Sequence, residues 1–87
     1  MAGPLTVDIV APDRKLWSGT AQRVIAPAVE GEIGLLANHE PILSLLKAGT
    51  VRVHGDESVS FKILRGFVSF DHNAITIVAE PDDTEED

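Results

Sequence analysis

Apolar and polar residues alternate with a period of two along most of this chain, the pattern of strands that bury one face. Leu5, Val7 and Ile9 alternate with Thr6 and Asp8 until Ala11-Pro12-Asp13 breaks the run. Val51 and Val53 alternate with Arg52 and His54. After a polar turn at Gly55-Asp56, Val59, Phe61 and Ile63 alternate with Ser58, Ser60 and Lys62. Two such runs across a tight turn predict a β-hairpin. A second hairpin is predicted from Phe67-Val68-Ser69-Phe70, the turn Asp71-His72-Asn73, and a last strand through Ile75 and Ile77. Short, evenly spaced strands with turn signals between them predict an all-β sandwich with almost no helix. One stretch departs from the alternation. Pro41, Ile42, Leu43, Leu45 and Leu46 form a dense apolar block, read as a helical turn or a connection crossing between sheets.

Composition narrows the function classes. The 87 residues fit one domain with a modest core, since small domains bury a smaller fraction of their surface. The chain has no cysteine, which rules out disulfides and thiolate chemistry and agrees with a reducing compartment. The net charge is −7, and five of the fourteen acids fall in the last six residues, Asp82 to Asp87. Without those six, nine acids face seven bases, so the body is close to neutral. The expected organisation is a β-sandwich domain over residues 1–80 and an acidic, disordered tail over 81–87. An acidic chain is a poor match for nucleic acid or an anionic lipid surface. No apolar run approaches the roughly 20 residues of a membrane-spanning helix, and no signal peptide is visible, so a cytoplasmic chain is expected.

Catalytic patterns are weak. His39, His54 and His72 have no metal-ligand spacing, and solvated surface histidines account for them. No serine sits in a Gly-x-Ser-x-Gly elbow, and no glycine spacing makes a phosphate loop. Glu30 and Glu32 flank Gly31 and could share a face as an acid–base pair or as a solvated pair at a loop edge. Gly31, Gly34, Gly49 and Gly66 point to backbone geometry: positive φ, bulges or close approach of another chain. Trp17 is read as packing in preference to an interface anchor.

The block from Val29 through Glu30-Gly31-Glu32-Ile33-Gly34 to Asn38-His39-Glu40-Pro41-Ile42-Leu43 resembles the epsilon subunit of the F-type ATP synthase (delta in mitochondria). That family reads roughly Glu-Gly-x-x-Gly-Ile-Leu-Pro-Gly-His-x-Pro-Leu-Leu here. The similarity extends upstream to Val10-Ala11-Pro12-Asp13 and Trp17-Ser18-Gly19, and downstream to Gly66-Phe67 and Asn73 to Ala79. It covers residues 5 to about 80. Ala37-Asn38 stands where the family has Pro-Gly, and Asn is able to hold the left-handed angle such a turn needs. Arg65 replaces the first of a common Gly-Gly pair.

The resemblance implies a flattened β-sandwich low on the central stalk, packed on the gamma subunit and meeting the polar loops of the c-subunit ring. It implies a non-catalytic rotor subunit without cofactor or metal, peripheral on the cytoplasmic face of the cell membrane, coupling proton translocation to ATP synthesis. Glu30, Gly31, Glu32, Asn38, His39, Glu40 and Pro41 are the partner-facing residues by this analogy. The family's C-terminal helical hairpin is not visible here, so the expectation is a short form that neither binds ATP tightly nor brakes hydrolysis. The competing readings are a free-standing ligand- or metal-binding sandwich and a small hydrolase using Glu30 or Glu32 with His39.

Overall fold

A computed structural model describes residues 4–82. Eight strands follow one another: β1 (Leu5–Ala11), β2 (Arg14–Ala21), β3 (Arg23–Ala28), β4 (Gly31–Leu36), β5 (Ile42–Leu46), β6 (Gly49–His54), β7 (Ser58–Asp71) and β8 (Ala74–Pro81). Among the described residues there is no helix. The pairing order is β2-β1-β8-β7-β5-β3-β4, with β6 between β3 and β7. The neighbours β3 and β5 meet at a single register position, Ala28 opposite Leu46, so the sheet turns a corner there. The result is two layers. One holds β2, β1, β8, the second half of β7 and β5; the other holds β4, β3, β6 and the first half of β7. Principal extents of 42 × 27 × 21 Å describe a flattened body.

The period-two pattern sets the core. From the first layer Leu5, Val7, Ile9, Ile75, Ile77, Val68, Phe70 and Leu46 point inward; from the second, Val24, Ala26, Leu35, Val51, Val53 and Ile63. Among the described residues no polar or charged one is buried, so desolvation opposes folding nowhere in this core. Trp17 packs partly buried against the core, in line with the packing reading. A Cβ on Gly19 would lie 2.9 Å from the indole, so the glycine leaves room for that ring.

Three features differ from the sequence expectation. The runs around Val59–Ile63 and Phe67–Phe70 are one 14-residue strand, β7, instead of two. Gly66 is internal to β7. A Cβ there would sit 2.1 Å from the Val78 carbonyl oxygen, so the glycine lets β7 cross against β8 where the register shifts between Ile63 and Arg65. The apolar block at 42–46 is a strand, β5, and neither a helical turn nor a crossing loop. Its alternation was hidden because both faces carry apolar residues: Ile42 and Leu46 turn in, Leu43 and Leu45 turn out. At the far end β8 runs to Pro81, and the Asp82 N–H donates to the Lys62 carbonyl at 2.9 Å. Strand structure therefore continues past residue 80. The remainder of the expected acidic tail lies outside the described residues.

Candidate partner-binding surface

Strand β4 separates the seven expected site residues into two groups. Val29 and Glu30 form the turn between β3 and β4, and Gly31 and Glu32 are the first two residues of β4. Asn38, His39, Glu40 and Pro41 make the loop between β4 and β5. Five strand steps of about 3.4 Å put the two ends of β4 about 17 Å apart. Glu30 thus lies at the other end of the strand from His39, and a shared acid–base site for them does not form.

The first group is shaped by Gly31, whose φ of 134° lies where side chains with a Cβ rarely go. Glu30 sits in the turn, so it is not the same-face strand partner of Glu32. The Glu32 carboxylate lies 3.7 Å from the Arg52 guanidinium across the outer face of the second layer, with both side chains more than half exposed. That pairing already answers part of its charge at a cost or gain of at most about 1 kcal/mol.

The second group is built more tightly. Asn38 adopts φ 69°, the left-handed angle expected of the residue in the family's glycine position. Its backbone N–H donates to Asn73 Oδ1 at 2.7 Å, and Asn73 Nδ2 reaches back to Asn38 Oδ1 at 3.5 Å. Asn73 belongs to the two-residue turn of the β7–β8 hairpin, where Asp71 pairs with Ala74. Both central residues have positive φ, 51° at His72 and 60° at Asn73, as a type I′ turn requires. His39 Nδ1 lies 2.7 Å from the Glu40 carbonyl oxygen, and its ring stands edge-on to Phe70 at 5.6 Å. His72 projects into solvent with its ring nitrogen 2.8 Å from Asp71. These two loops bound an open cleft of about 540 Å³. Among the described residues no group of three or more His, Asp or Glu is placed to hold a metal ion.

Between the 38–41 loop and the β3–β4 turn runs a surface the sequence reading missed. Leu43 is 74% exposed and Leu45 63% exposed on the outer face of β5. Leu45 stands opposite Phe67, and Phe67 opposite Val78. With Ser44 they line an open apolar groove of about 350 Å³. At one end Leu43 follows the 38–41 loop. At the other the Val29 N–H donates to the Leu45 carbonyl at 3.0 Å, which sets exposed Val29 and Glu30 beside the groove. Its signal in the sequence was the pair Leu43 and Leu45, two apart in a segment whose opposite face also carries Ile42 and Leu46.

The profile of the family described as "ATP synthase, Delta/Epsilon chain, beta-sandwich domain" matches residues 4–81. The "ATP synthase epsilon chain" of Synechococcus elongatus is 41% identical over 75 residues, 85% of this chain and 55% of that one. The chain of the same name from Frankia casuarinae is 42% identical over 79 residues, 88% of this chain and 93% of that one. The chain spans little more than half the length of the cyanobacterial relatives it matches. Among solved structures, a chain of the Euglena gracilis mitochondrial ATP synthase with its c-ring superposes with a TM-score of 0.82 at 21% identity. The match covers 95% of this chain and 56% of that one. A chain of the Tetrahymena thermophila central stalk and c-ring gives 0.77 at 16% identity, covering 98% and 76%. At those identities the likeness speaks for the fold.

Proposed function

The chain belongs to the ATP synthase delta/epsilon family, and from that premise we propose that it is a non-catalytic rotor subunit of the enzyme's central stalk. In this reading it links the gamma subunit to the c-ring and helps couple proton translocation to ATP synthesis. It sits on the cytoplasmic face of the membrane and touches the membrane only through the complex. The observation that carries the proposal is the outward apolar strip of Leu43, Leu45 and Phe67. A sheet whose inner face is already a complete core has no internal use for exposed leucines, and contiguous apolar surface of this kind serves association.

Interfaces pair an apolar centre with a polar rim. The strip is the centre and packs on gamma. The loop of Asn38, His39, Glu40 and Pro41 is the rim at one end, because it leads directly into Leu43. Val29 and Glu30 lie at the other end of the strip, and Glu30, Gly31 and Glu32 face the polar loops of the ring. The likeness to chains of two mitochondrial ATP synthase assemblies supports the fold that this reading requires.

The test is binding of the full chain to the gamma subunit of its own synthase. Leu43→Ser together with Leu45→Ser removes two exposed leucines without touching the core. Circular dichroism should stay that of a β protein while gamma binding falls at least tenfold. Unchanged binding by a folded double variant would refute the assignment.

A further inference from the structure

One residue that neither the partner-facing set nor the apolar strip includes holds two loops and a strand together. Asn73 Oδ1 accepts the Asn38 backbone N–H at 2.7 Å. The Asn73 carbonyl accepts the Thr6 N–H at 2.9 Å, which ties the same turn to the beginning of β1. Its own backbone sits at φ 60°, so the side chain is delivered to Asn38 by a turn of fixed shape. On the receiving side, Asn38 at φ 69° is followed by His39, whose N–H donates to the Leu36 carbonyl at 3.1 Å. Phe70, buried three residues before Asn73, meets the His39 ring from below. The 38–41 loop is therefore fixed from the neighbouring hairpin, across 35 positions of sequence.

We infer that Asn73 is a positioning residue for gamma docking: its side chain holds the 38–41 loop in the one shape that continues the Leu43–Leu45 strip. This rests on the proposed gamma-facing role of that strip. A loop left without this hydrogen bond would have to be ordered at the moment of binding, and that ordering weakens association. Asn73 is not among the residues that line the strip, so its proposed effect on docking passes through the 38–41 loop.

Two substitutions separate this role from a merely structural one. Asn73→Gly keeps the positive φ, since glycine is favoured in this turn, and deletes the side-chain acceptor. Asn73→Asp keeps an oxygen acceptor in a residue that also tolerates the left-handed angle. The measurements on the full chain are affinity for the gamma subunit and hydrogen exchange at the Asn38 amide. Asn73→Gly should bind gamma roughly two- to tenfold more weakly, the range of one lost hydrogen bond, and lose protection at the Asn38 amide. Asn73→Asp should restore both. If Asn73→Gly loses amide protection but binds gamma as tightly as the natural chain, the positioning role is overturned. If Asn73→Asp fails to restore binding while restoring protection, it is overturned as well. The Leu43→Ser, Leu45→Ser chain measured alongside tells the two ideas apart. Weakened binding there with no effect of Asn73→Gly sinks the inference alone, and unchanged binding there sinks the gamma reading with it.

Discussion

Gly66 and Gly31 meet a substitution to alanine in different ways, and the difference is measurable. At Gly66 the new Cβ would lie 2.1 Å from the Val78 carbonyl oxygen and 2.7 Å from the Ala79 Cα, both backbone atoms of the adjoining strand. Neither is the movable end of a side chain, so β7 and β8 must part. Gly66→Ala should cost about 2–3 kcal/mol or more, in the manner of an overpacked core. At Gly31 nothing lies within 4 Å of the added carbon, and the cost is the φ of 134° alone. Gly31→Ala should cost about 1–3 kcal/mol by backbone strain. Urea unfolding of both variants checks the order, and a Gly66→Ala chain as stable as the natural one would contradict the close approach. Glu32→Gln removes one half of an exposed pair with Arg52 and should move stability by less than about 1 kcal/mol. A larger loss in the same titration would mean that the pair is part of something more rigid than its exposure suggests.

Within strand β7 two phenylalanines three positions apart have opposite fates. Phe70 is 1% exposed in the core, and Phe67 is 39% exposed on the outer face. Phe70→Ala should cost about 3–5 kcal/mol, while Phe67→Ala should cost far less and instead weaken gamma binding. Thermal unfolding and the binding assay together check this crossed pattern, and equal destabilisation by the two would break it. The strand that carries them was legible in the sequence, as were both hairpins, the turn at residues 71–73 and the left-handed Asn38; the face each phenylalanine takes was not. Strand β5 was not, because apolar residues on both of its faces erase the period-two signal that identifies a half-buried strand. The continuity of β7 was hidden for a different reason. Gly66 reads as a break until the neighbouring strand that it must clear is known. Of the candidate residues, Glu30 and Asn38 to Pro41 fall in turns and loops while Gly31 and Glu32 open β4; their separation along β4 and the apolar strip near them depend on pairing, which a single sequence does not reveal.

For the molecule as a whole, the two layers divide the labour between stability and association. The inner faces carry the large fully buried side chains, and the outer face of β5 and β7 carries the most exposed leucines. The parallel pairing of β1 with β8 has a consequence in time. Thr6 lies opposite Ala74 and Val10 opposite Val78, so the first strand finds one of its two neighbours only 68 residues later. Until β8 has left the ribosome, β1 keeps an open edge, and the first layer lacks the strand that joins β1 to β7. Contacts this distant along the chain are slow to form, because the loop between them must close before any pairing offsets its entropy. Refolding from urea should accordingly take milliseconds to seconds, with β1 among the last strands to gain amide protection in a pulsed hydrogen-exchange experiment. Early protection of β1 would mean that it first pairs with β2 alone and waits as a hairpin for its second partner.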